Sequence, residues 1–556
     1  MKRRDFLSGA ASAVAAAWFS RSAFAAGDDS MPMHDMSKMN GMASMSGMHD
    51  AMQGSELAPV DALPAGAPLA SLRTLVNESR TPGEFRATLL AQPVARALVQ
   101  GQRDTVFWQF DGGLAAAGKG DTSGPVVGPL IALREGDRVE IRVVNRLEQP
   151  TTMHWHGLPV PPDQDGNPSN PIPPGGEHVY RFTLPKGSAG TYWYHPHPHM
   201  QTAEQVFRGL AGPIVVRAAD DPLVAWPERH LFVSDLKLAT DASIAPNSMM
   251  DWMNGREGQF VLVNGAREPR IEVVRDERWR VWNACSARYL QLAFDDGRAF
   301  AQVGTDGGLL AAPRDGLTAL VLAPGERAEL IVRAGQGASQ ARWLATQYDR
   351  HKMAMSHGSL PPGPNVVLAD VRFAPGADAS GADASGADAS GADASGADKS
   401  SVLPASLRAI APLGPARAQK SVGFSEAMDM HAMHQPGAST RAMPLGMKFM
   451  INGETYVPGR ATLTSRRGDV ENWTIANGTD MDHPFHLHGT QFQVLSREFD
   501  GRRIAEPYLA WRDTINVRPG EIVHIATVQH EAGDRMFHCH ILEHEDLGMM
   551  GTLRVI

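Results

Sequence analysis

Cysteine is almost absent from these 556 residues. Cys285 and Cys539 are the only two, so no disulfide framework can hold the chain together. If Cys539 binds metal, no pair remains at all, and Cys285 is expected to be a buried free thiol packing as a small hydrophobe. Long apolar runs are missing too. The alanine-rich stretch from Ala10 to Phe19 falls short of the roughly 20 residues that a membrane-spanning helix needs. Positive charge is not in excess: the formal net charge is -9, which argues against nucleic acid as a partner. Helical periodicity is weak throughout, leaving β-structure as the expected class. At this length two to four domains are expected.

What is present begins with an address. Lys2-Arg3-Arg4-Asp5-Phe6-Leu7 carries the paired arginines of a twin-arginine signal, and Ala23-Phe24-Ala25 offers a small-x-small cleavage site before Ala26. Residues 1–25 are therefore expected to be a signal peptide handled by the twin-arginine export machinery. The mature chain is expected in the periplasm of a Gram-negative cell, as a monomer without stable membrane insertion. Residues 26–84 read as a Met/His-rich flexible tail and linker, since the run from Met31 to Met52 has no aromatic or β-branched residue with which to build a core. A repeat of Gly-Ala-Asp-Ala-Ser starting at Gly376 reads as a second flexible linker over 376–401.

Between these tracts the chain repeats itself. Arg134 to Asn145 has counterparts in Val274 to Asn283 and Arg467 to Asn477. Pro174-Gly175-Gly176-Glu177 returns as Pro324-Gly325-Glu326 and as Pro519-Gly520-Glu521. Each unit is a turn followed by alternating polar and apolar residues, the pattern of a half-buried strand. Three copies at wide spacing imply three similar β-sandwich domains, with boundaries expected near 85–220, 221–375 and 402–556.

Four clusters carry the chemistry: His154-Trp155-His156-Gly157, His195-Pro196-His197, His483-Pro484-Phe485-His486-Leu487-His488-Gly489, and the run from Met536 to Met549 that contains His538-Cys539-His540 and His544. A thiolate, two imidazoles and a distant thioether are the donor set of a blue-copper site. Neighbours on a strand point to opposite faces, so if Cys539 faces one metal, His538 and His540 face elsewhere. One His-x-His pair alone is weak, because two such rings can simply pack; four clusters together are not.

These clusters resemble the copper motifs of the multicopper oxidase superfamily, from about residue 100 to the end of the chain. The likeness includes Gly489-Thr490-Gln491-Phe492 and the strand Leu210-Ala211-Gly212-Pro213. It is nearest to periplasmic cuprous oxidases, the copper efflux oxidases, and to bacterial laccases. The resemblance implies an all-β chain of three cupredoxin-like Greek-key sandwiches and four copper ions: one type 1, one type 2 and a type 3 pair. Position by position it implies type 1 ligands His483, Cys539 and His544 with Met549 axial. It implies type 2 ligands His154 and His486, and type 3 ligands His156, His195, His197, His488, His538 and His540. Asp165 and Glu545 match acids that the family places on proton paths. His199, beside the second cluster, is expected outside the ligand set, and His178, His230, His524 and His530 are expected to be structural.

Dioxygen is the implied acceptor. The donor is expected to be Cu(I), oxidised to Cu(II), because a soft ion suits thioether sulfur and Met428-Asp429-Met430-His431-Ala432-Met433 resembles, in shortened form, the methionine-rich insert of the cuprous oxidases. Met428, Met430, Met433, Asp480 and Met481 are the candidate substrate-copper residues, Thr479 standing where the family shows an acid. Phenols or aromatic amines, as for a laccase, are the alternative donors. Copper sequestration without turnover and nitrite reduction fit the complete histidine set less well.

Overall fold

The computed structural model describes residues 55–112, 126–354, 358–374, 402–429, 443–444 and 446–556. The signal peptide, the Met31–Met52 tract, the 376–401 repeat, Met430 and Met433 lie outside them.

The described chain is nearly all β, in three two-sheet units, and no sheet takes strands from more than one of the stretches 84–217, 228–373 and 418–555. The first unit sets four strands (Thr105–Gly112, Glu84–Arg96, Arg138–Asn145, Glu177–Thr183) over three (Ile131–Arg134, Gly212–Arg217, Gly190–Tyr194). The second has seven strands over five. The third has six over five, the five being Leu463–Ser465, Met550–Val555, Gly533–Cys539, His483–Leu487 and Thr514–Val517 in spatial order. A separate buried apolar cluster fills each unit. No helix among the described residues is long and apolar enough to cross a membrane.

The sequence repeats fall on equivalent strands. Arg138–Asn145 runs parallel to Glu84–Arg96, Glu277–Asn283 to Glu228–Leu236, and Val470–Asn477 to Ala418–Met428. Each then pairs antiparallel with the strand after its Pro-Gly turn. Each repeat also ends in a buried asparagine doing the same work. Asn145, Asn283 and Asn477 each donate two amide hydrogens to backbone carbonyls and accept one backbone N–H two residues on. Their own carbonyls accept from Gly175, Gly325 and Gly520 of the Pro-Gly turns. Strand end and turn are thus locked by one side chain, which satisfies backbone groups that water cannot reach.

Alternation holds in Arg138–Asn145 and Val470–Asn477 but not in Glu277–Asn283, where every residue is buried. On the face opposite Trp279 and Val281 its polar residues are Arg278 and Arg280, and both are paired. Arg278 bonds Glu329 and Asp221; Arg280 bonds Glu329, Glu228 and the Thr191 hydroxyl of the first unit. Burial pushes the Glu329 carboxyl up, and the two guanidiniums together hold it below its usual range. The polar face of the middle repeat is a neutralised seam against its neighbour, not a solvent face.

One expectation is corrected. Residues 55–84 are no loose linker: Leu57 bridges Ala239, Ala65 bridges Arg267, Pro68 bridges Arg270 and Thr74 bridges Leu130, while Leu63, Leu72 and Leu75 are buried. Reading 26–84 as one segment let the Met/His composition of its first half hide the apolar anchors of its second.

Replacing Asn283 by Ala removes its bonds to the buried Leu322 carbonyl, the half-buried Arg288 carbonyl and the Cys285 N–H. We expect a loss of about 3 kcal/mol and a lower unfolding midpoint by calorimetry. An unchanged midpoint would contradict the corner's role.

Candidate metal centre

Strand register divides the last cluster between two sites. Phe485 pairs with Cys539 and His486 with His538, so Cys539 shares the inward face with Phe485, while His538 and His486 share the other face. In the first unit, His154 and His195 form an antiparallel bridge, each N–H donating to the other's carbonyl. That bridge brings four imidazoles to the face where His486, His488, His538 and His540 emerge from the third unit.

The inward site gathers His483, Cys539 and His544, all fully buried. Their approaches are 3.3 Å from His483 Nδ1 to Cys539 Sγ, 4.0 Å from His544 Nδ1 to Sγ, and 3.2 Å between the two Nδ1 atoms. The outer nitrogens are anchored. Thr479 spends its hydroxyl proton on Asn477 Oδ1, so its oxygen accepts from His483 Nε2–H at 2.8 Å. Met253 O accepts from His544 Nε2–H at 3.2 Å. Phe449 stacks on His544 with ring centroids 3.8 Å apart. Met549 lies in the same buried cluster, and its carbonyl accepts the Cys539 N–H. Burial pushes the Cys539 thiol up, so it becomes a thiolate only if a cation takes the proton's place.

The outer site holds the other eight imidazoles. Ring protons there are assigned by their acceptors. His154 Nδ1–H and His488 Nδ1–H donate to the two oxygens of Asp165, at 3.1 and 3.2 Å. His195 donates to Pro196 O, His486 to Asp513 O and His538 to Cys539 O. His156 is reversed, its Nε2–H donating to Asp513 Oδ1 at 3.0 Å. The nitrogens left bare face one another: His154 and His486 at 3.4 Å, His156 and His195 at 3.4 Å, His488 and His538 at 3.0 Å. His197 Nε2 closes on His538 at 3.2 Å, and neither nitrogen of His540 has a partner among the described residues.

With His483 and His544 this makes four places where ring nitrogens converge in fully buried surroundings, with only the His197 ring proton and the Cys539 thiol proton near enough to reach them. Taking up further protons cannot relieve them, because burial first and then mutual repulsion hold His156, His195, His197, His486, His488, His540 and His544 well below the usual imidazole range. Burial takes His483 and His538 to about 3. Neutral imidazoles plus one thiol suit a borderline or soft transition ion such as copper, so the residues fit the metal.

All eleven His and Cys candidates lie in these two groups. Asp165 bridges His154 and His488, and Glu545 lies 3.5 Å from His197 and 3.3 Å from His538. His199 is half-buried against Tyr456, outside both groups. Met481 is fully buried, Asp480 is exposed and Met428 is half-buried. Residues the sequence did not single out are Thr479, for its bond to His483, Asp513, Arg327, and the helix Met249–Asn254, whose Met253 reaches His544. Only that helix left a signal, Ser248-Met249-Met250-Asp251, where Ser248 and Asp251 form a capping box.

Family models described as multicopper oxidase match residues 118–221 and 426–556. A multicopper oxidase of Staphylococcus haemolyticus is 32% identical over 445 residues, covering 78% of this chain and 83% of that one. A laccase of Bacillus subtilis is 27% identical over 490 residues, 77% and 88% of the two chains. Among solved structures, a multicopper oxidase from Campylobacter jejuni described as a metallo-oxidase superposes with a TM-score of 0.78 at 39% identity, covering 90% of this chain and 98% of that one.

The buried neutral imidazoles set a pH dependence for the metal-free chain. Above the ordinary value of 6.5 both states are neutral. Below it the unfolded rings take protons that the folded ones refuse, so stability falls by up to about 1.4 kcal/mol per pH unit for each such ring. The guanidinium midpoint of copper-free protein should drop sharply from pH 7.5 to pH 5.5; a flat profile would contradict the burial argument.

Proposed function

Starting from a chain that belongs to the multicopper oxidase family, an oxidoreductase with oxygen as acceptor, we propose a four-copper enzyme whose electron donor is Cu(I). His483, Cys539, His544 and Met549 would hold the type 1 ion, and His154 and His486 the type 2 ion. His156, His195 and His540 would hold one type 3 ion, and His197, His488 and His538 the other. This division is supported by the four convergences of bare nitrogen and by the two triads, each of whose ligand atoms lie within 4.8 Å of one another. When bound, copper supplies one-electron storage at the thiolate site and four-electron reduction of dioxygen at the imidazole cluster.

The chain's own part is positioning. Cys539 is one peptide bond from His538 and one from His540, and His538 Nδ1–H closes a second link to Cys539 O. The two sites therefore share a rigid stretch of backbone. Asp165 fixes two rings by one carboxylate. Glu545, whose carboxyl is pushed up by burial and by Asp546, stands beside His197 and His538, where a group able to hold a proton is of use to a reaction that consumes four.

Cu(I) as the donor is carried by one observation: five thioethers pack against the buried core that holds Cys539, beside His544. The helix Met249–Asn254 closes over that ring through Met253 O. Met249, Met250, Met353, Met428 and Met443 are half-buried against the core that contains Cys539. Five soft donors suit a soft ion, and the Met253 carbonyl takes the outer nitrogen of His544. The description of the similar Campylobacter jejuni protein as a metallo-oxidase points the same way. Twin-arginine export, a periplasmic address and a role in copper tolerance extend this reading from the motif at Arg3-Arg4 and the Met/His tract.

Exchanging Met249, Met250 and Met353 together for Leu keeps volume and removes sulfur. Oxygen uptake driven by a Cu(I) complex should fall about tenfold, the scale of one lost 1.4 kcal/mol interaction, while uptake with a phenol should stay within twofold. Equal Cu(I) turnover in the variant would refute the donor assignment, and a faster phenol rate than Cu(I) rate in the parent protein would favour a laccase.

A further inference from the structure

The middle unit supplies none of the eleven imidazole and thiol groups, yet one of its turns forms a wall of the cluster. We propose that Pro324–Arg327 is a positioning element for the type 3 imidazoles. Gly325 clears and shapes the space for His540, and Arg327 holds Asp513 against His156. The proposal rests on the copper reading above.

The internal repeat is the control. Gly175, Gly325 and Gly520 occupy the same turn in the three units, and all are left-handed, with φ of 73°, 86° and 69°. A Cβ at Gly175 would meet nothing within 4 Å, and one at Gly520 only Phe499 at 3.9 Å. At Gly325 it would lie 2.9 Å from His540 Cδ2 and 3.0 Å from Cγ. Among the described residues, neither nitrogen of His540 finds a hydrogen-bond partner. Packing alone sets its orientation, between Gly325, Trp193 and His156.

Two residues on, the repeats diverge again. The residue paired with the position before the corner asparagine is Glu177 in the first unit, Ile522 in the third and Arg327 in the second. Glu177 is exposed and Ile522 half-buried, but Arg327 is buried with its fork on both oxygens of Asp513. Its Nε donates to Thr191 O, on the first-unit strand that leads into His195, and its backbone N–H donates to Asp306 Oδ1. Asp513 in turn accepts from His156 Nε2–H, and its carbonyl accepts from His486 Nδ1–H. One guanidinium therefore ties all three units and fixes the carboxylate that gives His156 its reversed tautomer. Gly157 makes room for the pair, since a Cβ there would lie 2.2 Å from Asp513 Oδ2 and 2.6 Å from Arg327 Nη2. A lysine keeps the charge but cannot reproduce a two-pronged grip.

The test compares copper-reconstituted Gly325→Ala and Arg327→Lys with Gly175→Ala and Gly520→Ala, which carry the same left-handed strain without a neighbouring imidazole. Copper per chain, the blue absorption of the thiolate site, the cluster's paramagnetic resonance and near-ultraviolet signals, and the melting of the metal-free chains are read together. We expect Gly325→Ala and Arg327→Lys to keep the blue absorption while the cluster binds copper about 10- to 100-fold more weakly. The two control variants should load fully. Full loading of the cluster in Arg327→Lys and in any folded Gly325→Ala would overturn the proposal, as would equal losses in the controls or blue and cluster signals lost together in step with melting. A parent protein that binds copper at the thiolate site and none at the cluster would instead overturn the functional reading beneath it.

Discussion

Two neutral nitrogens whose lone pairs point at each other in a buried site repel, and no water fits between them at the 3.0–3.4 Å separations found between His154 and His486, His156 and His195, His488 and His538, and His483 and His544. The fold maintains four such confrontations by spending the other nitrogen of each ring on an oxygen. Asp165, Asp513, Thr479, Pro196, Cys539 and Met253 provide those acceptors, through side chain or backbone. Each acceptor both orients its ring and decides which nitrogen is bare. A cation is the physical resolution of the repulsion, and a mixed imidazole and thiol set makes copper the natural one.

Three similar sandwiches have been put to different uses. Equivalent strands, turns and asparagine corners give all three the same frame. The outer two turn their histidines toward each other, and the third also keeps Cys539, His483 and His544 inside its own core. The middle unit gives up its solvent face, pairs Arg278 and Arg280 in a buried seam, and sends Arg327 to the cluster. Even the asparagine corner is drawn into the chemistry in the third unit, where Asn477 orients Thr479 and Thr479 orients His483.

Much of this was legible from residue order. Alternation along a strand is enough to separate Cys539 from His538 and His540, and the repeated turn-plus-strand units mark the three sandwiches. The four histidine clusters declare themselves by spacing. What escaped depends on contacts between residues far apart in the chain. Asp513 and Arg327 are 186 positions apart, and nothing local distinguishes an arginine that will be buried on a carboxylate from one on a surface. Met253 acts through its backbone carbonyl, which no side-chain motif can signal. The anchored stretch 55–84 was hidden by the composition of the tract before it.

In the proposed enzyme a single thiolate couples the inward site to the imidazole cluster. Copper-loaded Cys539→Ser tests it most directly, with oxygen consumption, blue absorption and cluster signals measured on one sample. The blue absorption and oxygen consumption should vanish together while the cluster keeps its copper and its signals. Sustained oxygen consumption in a variant whose cluster is loaded but whose blue absorption is gone would contradict it.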